Sequence, residues 1–373
     1  IICNIIYTYK NIQTGVYFNF HDRSESSGGF LRMGNRANEG QAEMTICVYL
    51  PQINKVLFVF KRAKIKTNNG FHAGGLEINI KKPMRKIETI YKGRTFLLNK
   101  PMQMLNPRNV YRAAADKSNN DVEQVNVHIH LVHEYAGVVT GYSADNYYDA
   151  IEDPVEREAK RKADENQFAR NHYEQHMKVT GFVEVDGKKY DVNGNGMRDK
   201  SWGPRHWSKT KSYRFLNGNF GSDVGLSSTW AMGNGHGIIQ RGATGSERIS
   251  KMDVSTAYSS PYMENGIFSS SDDDDVWFDG IERPGGSDAV LRRHNRLKIN
   301  IETEKGKNKI EIHGTAIGFM PLRSIRNGEH TYIGEALTRY TIVNATDKNL
   351  IGKTGYGMSE YLDQVIDGKP IGP

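Results

Sequence analysis

The sequence predicts an all-β protein built from two antiparallel barrels or sandwiches joined by a surface helix. Three observations carry that prediction. Short apolar runs alternate with Asn-Gly, Asp-Gly and Gly-Gly signals, and the composition holds 38 Gly, 19 Tyr and 14 Phe. Strand-sized segments follow one another at turn spacing, without the βαβ rhythm of a parallel sheet. At 373 residues the chain is long enough for two ordinary domains, each with its own core.

Taken in order, residues 42–50 and 55–62 read as strands, with Gln52-Ile53-Asn54 as the hairpin between them. Segments 75–80 and 125–132 follow. Asp153 to Met177 contains no glycine; Asp153 is placed as an N-cap and Pro154 in the first helical turn. The Glu, Lys, Arg and Ala that follow are good helix formers. Apolar residues there are sparse (Val155, Ala159, Ala163, Phe168), so only a narrow stripe can be buried. The boundary is therefore set in this segment: a β domain over 1–150, a linker helix over 151–178 and a second β domain over 179–373. Asp186-Gly187 between 182–185 and 188–192 is a two-residue hairpin turn. Segments 296–302, 309–314 and 334–343 complete the strands, with 304–308 as a hairpin connection. The sequence shows no long internal repeat.

Composition excludes several classes. Lys+Arg number 50 against 43 Asp+Glu, a net charge of +7, but the basic residues are spread along the chain. A nucleic-acid partner is not expected without a basic stripe or arm. No apolar run approaches the roughly 18–20 residues of a membrane span. Cys3 and Cys47 make neither a disulfide framework nor a thiolate metal site. The chain opens without Met and without a signal pattern, which leaves its natural start open and favours the cytoplasm. Residues 269–275 read as a solvated acidic loop.

The segment from Asp191 to Trp207 is the densest in chemistry. Asp191-Val-Asn-Gly-Asn-Gly196 matches the opening of a calcium loop, but Trp202 stands where the bidentate Glu belongs, so a tight turn is the better reading. Beyond it, Asp199 and Ser201 share one face of an extended chain, and Arg198, Lys200 and Trp202 the other. An acid beside a hydroxyl and aromatic walls suits proton donation in a dry pocket, since desolvation disfavours the carboxylate. The same residues also suit a structural Asp–Arg pair beside a buried Trp. His128 and His130 share a strand face and His133 the opposite one; a half-buried strand explains them, and no metal is expected. Met232-Gly-Asn-Gly-His-Gly237 lacks nucleotide-loop spacing, while His236 leads into a strand and is a cavity candidate.

Arg198-Asp-Lys-Ser-Trp-Gly-Pro-Arg205 resembles the Asp-x-Asn/Ser-Trp-Gly signature of the carotenoid hydratase (hydroxyneurosporene synthase) and AttH-like superfamily, in a bacterial branch of it. Arg32–Glu43, His172-Tyr-Glu-Gln175 and Gly355-Tyr-Gly-Met-Ser-Glu-Tyr361 extend the resemblance over most of the chain. It implies two packed lipocalin-like barrels with an apolar cavity near their junction. It also implies Asp199 as proton donor to a C=C bond, with water capturing the resulting cation. Ser201 and Lys200 depart from the Asn and His usual in the hydratases.

The reading is a cofactor-independent hydratase or lyase acting on an isoprenoid or other lipid-like alkene. Asp199, His172 and His236 are its catalytic candidates. Arg198, Ser201, Trp202, Arg205, Trp207, Tyr173, Trp230 and Glu43 are its ligand-binding candidates. The rivals are a non-catalytic carrier of a hydrophobic small molecule, in which Asp199 is structural, and an isomerase or cyclase using the same acid.

Overall fold

The structure is a computed structural model describing residues 12–105, 107–115, 122–163, 170–205, 210–231, 234–259, 261–264, 267–270, 276–279, 293–326, 329–366 and 369–370. Its first sheet holds β1 (Ile12–Asp22), β2 (Gly28–Arg36), β3 (Gln41–Leu50), β4 (Lys55–Lys64), β5 (Phe71–Ala73), β6 (Leu76–Lys82), β7 (Lys86–Leu98), β8 (Val122–Ser143), β9 (Asn171–Val185) and β10 (Lys188–Pro204). They run β4-β3-β2-β1-β10-β9-β8-β7-β6-β5, and β4 also pairs with β7, closing a barrel.

The rest of the chain supplies β11 (Ser212–Phe220), β12 (Val224–Ala231), β13 (Asn234–Arg241), β14 (Gly245–Ser259), β15 (Pro261–Glu264), β16 (Ile267–Ser270), β17 (Val276–Asp279), β18 (Arg293–Thr303), β19 (Lys309–Arg326), β20 (Glu329–Ala345), β21 (Thr354–Ile366) and β22 (Lys369–Pro370). Here the order is β11-β12-β13-β14-β18-β19-β20-β21-β22, and β11 pairs with β21 to close a second barrel. β15 and β16 pair with each other, and β17 pairs with β14. The fold is all-β and its two barrels are lipocalin-like.

Period-two patterning builds each wall. In β8, Val125, Val127, Ile129 and Leu131 enter the first core, while His128 and His130 turn outward onto the Phe182 ring at 5.0 and 6.2 Å. His133 takes the inner face, 3.0 Å from Thr89 Oγ1. The Asp186-Gly187 turn joins β9 to β10 with positive φ at both residues, 45° and 84°. The second core gathers residues such as Leu216, Leu226, Ile299, Ile312 and Tyr361.

Three expectations need correction. The helix α3 (Pro154–Ala163), which follows α1 (Pro107–Ala115) and α2 (Ala144–Asp149), is shorter than 151–178. Asp153 caps it, accepting the Val155 N–H at 2.8 Å. Val155 stands 76% exposed, and Phe168 lies outside the described residues. Because β8 and β9 pair across it, α3 is an insertion within the first barrel. The passage between sheets comes later, between Pro204 and Ser212, so residues 179–204 belong with the first sheet. Finally, Asp191 to Gly196 is continuous strand rather than a turn. Its glycines let β1 approach: a Cβ on Gly196 would sit 2.1 Å from the Asn19 carbonyl oxygen.

The architecture repeats although the sequence does not. Read around each closed wall, β1-β2-β3-β4-β7-β8-β9-β10 matches β11-β12-β13-β14-β18-β19-β20-β21. The one legible trace is Gly194-Asn-Gly-Met-Arg-Asp199 against Gly355-Tyr-Gly-Met-Ser-Glu360. Gly357 repeats the close approach, with a virtual Cβ 1.9 Å from the Asn217 carbonyl oxygen. The barrels meet through these equivalent strands. Asn19 Nδ2 donates to Asn217 Oδ1 at 2.9 Å, and each side chain accepts a backbone N–H from the neighbouring strand, Met197 at 2.7 Å and Met358 at 3.2 Å. Phe30, Cys47 and Tyr49 pack beside them on Met320, Leu337 and Met358.

Gly196→Ala and Gly357→Ala are each expected to destabilise the chain by about 2–3 kcal/mol or more, because strand backbone must move to admit one methyl group. Urea denaturation of the two variants checks this; an unchanged midpoint in either would contradict the close-approach reading.

Candidate active site at the barrel junction

Alternation along β9 and β10 sorts their side chains onto two faces. Met177, Val179, Val183, Tyr190 and Val192 fill the first core. The alternate residues His172, Glu174 and His176 on β9, and Asp199 and Ser201 on β10, turn toward the second barrel. Register sets Asp199 opposite Glu174 and Ser201 opposite His172, so the four fall in one patch.

His172 is the hub of that patch. Its Nε2 lies 2.5 Å from Asp199 Oδ2 and 3.2 Å from Glu174 Oε1. Ser227 of β12 donates its hydroxyl to Glu174 from the second barrel. Arg205 Nη2 donates to Ser201 Oγ at 2.6 Å, and its charge acts on Asp199. The Tyr142 ring stands 5.9 Å from the His172 ring and is 55% exposed, marking the mouth. The side chains of His172 and Asp199 keep 22% and 18% of their surface accessible, enough to touch a small molecule.

Electrostatics raise the proton affinity of both His172 and Glu174. Burial opposes the His172 cation, but the charge and hydrogen bond of Asp199, with Glu174 adding to them, hold its pKa up at about 9. Burial pushes the Glu174 carboxyl up to about 7; the His172 cation opposes this and the Asp199 charge adds to it. The three residues also offer ligand atoms within 4.8 Å of one another and are, among the described residues, a group that could hold a metal ion. A proton held on His172 at neutral pH competes with that use.

The other sequence candidates are placed as follows. Trp202 and Tyr173 face the interior of the first barrel, away from Asp199, with ring centroids 6.1 Å apart. Arg198 joins them, its guanidinium 5.0 Å from the Tyr173 ring centre. Strand alternation explains why the signature tryptophan does not wall the acid's chamber. Trp230 is buried in the second core, 3% exposed. Glu43 is held by Arg62 at 3.1 Å and Arg36 at 3.8 Å. His236 is exposed on β13, and partial desolvation and then the His172 charge lower its pKa. Trp207 lies outside the described residues.

Ser227 and Glu335 are not selected from sequence, and Glu174 and Glu360 enter only through the His172-Tyr-Glu-Gln175 and Gly355–Tyr361 spellings. Glu174 reads as a helix-end residue if 151–178 is helix, and only the strand turns it inward. Glu335 and Glu360 face each other in register on β20 and β21, as Glu174 and Asp199 do on β9 and β10. The repeated Gly-x-Gly-Met-x-acid spelling was the available signal.

The folded-state pKa of His172 lies above the unfolded 6.5, so its stabilising contribution is complete below pH 6.5 and lost as pH rises through about 9. Glu174 also holds its proton more tightly when folded, so ionising it costs stability as pH rises from 4.5 through about 7. NMR titration is expected to place the His172 midpoint near 9 in the wild type, and well below that in Asp199→Asn. An unshifted midpoint in that variant would refute the pairing.

Solved structures share this fold at low sequence similarity. A protein of Nitrosomonas europaea described as an AttH superimposes with a TM-score of 0.53 at 9% identity, over 94% of this chain and 92% of that one. Kievitone hydratase from Nectria haematococca superimposes with a TM-score of 0.51 at 8% identity, over 94% and 89%. The fold implied by the resemblance to AttH-like and carotenoid hydratase proteins is thus the fold observed. No curated protein matches the chain in sequence. No helix among the described residues is long and apolar enough to cross a membrane. The family described as a domain of unknown function, DUF7064, matches residues 8–365, and the chain belongs to it.

Proposed function

We propose that the chain is a cofactor-independent enzyme of hydratase type, adding or removing water at a carbon–carbon double bond of a small molecule. The observation that carries this reading is His172 set within hydrogen-bonding reach of two carboxyls, with both barrels around them and an accessible edge. A carboxyl poised near pH 7 beside an ion-paired histidine suits general acid–base work. The kinship in fold with kievitone hydratase is compatible with it.

In the hydration direction, Glu174 in its protonated form gives its proton to one alkene carbon. Water attacks the other carbon through oxygen and loses a proton to the Asp199–His172 pair. His172, 3.2 Å from Glu174, returns that proton to the spent carboxylate, so the cluster ends as it began. Arg205 stabilises charge developing beside Asp199. Glu174 rather than Asp199 is the donor on this reading, because burial keeps its proton available. The nearby lining of Arg205, Ser201 and Tyr142 favours an oxygenated alkene over a plain isoprenoid hydrocarbon.

The test is turnover of a panel of isoprenoid and enone alkenes in ¹⁸O-labelled water, read by mass spectrometry. Label is expected in the alcohol product, and Glu174→Gln and Asp199→Asn are each expected to lower kcat by about 10²–10⁴-fold with folding retained. A ligand that binds and is recovered unlabelled would instead establish a carrier.

A further inference from the structure

A second pair of carboxyls faces the first across the junction and takes no part in the chemistry above. Glu335 on β20 and Glu360 on β21 stand in register and share a hydrogen bond; Tyr213 donates its hydroxyl to Glu360. Tyr17 of β1, whose register partner is Asp199, extends the group from the first barrel, and Arg32 of β2 lies opposite Tyr17. Glu335 and Glu360 act electrostatically on Tyr17, and Asp199 on both Tyr17 and Glu360, so the two carboxyl pairs border one region.

Two features point to an occupant. Glu335 is only 3% exposed, yet its Oε2 has no hydrogen-bond partner, and the buried Tyr17 hydroxyl has the Asn19 side chain beside it but no well-formed hydrogen bond. Leaving such groups unmade costs stability unless something fills them. Meanwhile Tyr17, Arg32, Tyr213 and Glu360 are only half-buried although they lie on strands that meet at the junction, which leaves accessible surface beside the carboxyl pair.

We propose that Glu335 and Tyr17 form a binding subsite for an uncharged oxygen group, a hydroxyl or carbonyl, at the far end of the molecule on which the His172 cluster acts. Charge argues for a neutral group. Burial and the Glu360 charge raise the Glu335 pKa well above the usual carboxylate range, so Glu335 carries a proton. Arg32 offsets Glu360. A neutral carboxyl shared with Glu360 leaves one oxygen to accept from a ligand hydroxyl, and the Tyr17 O–H can donate to it or to a carbonyl. Calling the occupant a substrate rests on the hydratase reading; its binding does not.

The experiment uses phenol and toluene as matched probes and reads binding alone, by ligand-observed NMR on the full chain. Phenol is expected to bind saturably and at least tenfold tighter than toluene. Tyr17→Phe and Glu335→Gln are each expected to weaken phenol by about tenfold while toluene changes less than twofold. Glu174→Gln, which disables the proposed chemistry, should leave phenol affinity within twofold. Absence of saturable phenol binding, equal affinity for the two probes, or an unchanged affinity in both subsite variants would overturn the subsite. If neither variant folds, the wild-type phenol–toluene ratio decides. A passing result alongside unlabelled product in ¹⁸O water would sink the hydratase reading and leave the subsite standing.

Discussion

Two buried amides hold this molecule in its working form. Asn19 and Asn217 occupy equivalent places in the two barrels, bond to each other, and each ties down a backbone N–H of the strand beside it. A buried amide bonded in this way tolerates little slippage, because a shift of one residue would strand several polar groups at once. The contact therefore fixes how β1 and β10 of one barrel sit against β11 and β21 of the other. The residues two places further along β10 and β21, Asp199 and Glu360, inherit their positions from it.

That arrangement explains why the junction is polar. Two barrels could have met through apolar strips alone, as they do where Phe30 and Tyr49 pack on Leu337 and Met358. Instead four carboxyls are turned toward the seam. Each must be paired, protonated or given solvent to offset its desolvation. Glu174 is met by His172 and Ser227, Glu335 by the hydrogen bond with Glu360, and Tyr213 serves Glu360. Groups that remain unmet in so crowded a seam are the places where physical reasoning expects a ligand.

Much of the fold was legible because period-two patterning and turn chemistry are local. The hairpin at Asp186-Gly187, the cap at Asp153 and the inward stripe of β8 follow from neighbours in sequence. The helix length failed for a related reason: residues 171–178 carry helix-compatible side chains, but pairing with β8 and β10 overrides propensity, and those partners are remote in sequence. The site was half legible. Alternation put Asp199 and Ser201 together and Trp202 opposite, and this held. The resemblance implied a cavity at the junction, but local pattern alone does not say which side chains of the second barrel stand beside Asp199 there. Ser227 and Glu335 come from the other barrel, and no local rule connects them to His172.

The seam also shows how a repeated frame can yield unlike chemistry. Glu174 and Asp199 correspond to Glu335 and Glu360, strand for strand and register for register. Two residues before Glu174 stands His172; two residues before Glu335 stands Ile333. With a cation between them, the first pair of acids becomes an ion-paired proton network in which burial raises Glu174 to about 7 and the carboxyls hold His172 up at about 9. Without one on its own strand, the second pair has to share a proton, and Glu335 stays neutral. A single imidazole thus separates a pair able to exchange protons at pH 7 from a pair able only to hold one, and the molecule places both on the same seam.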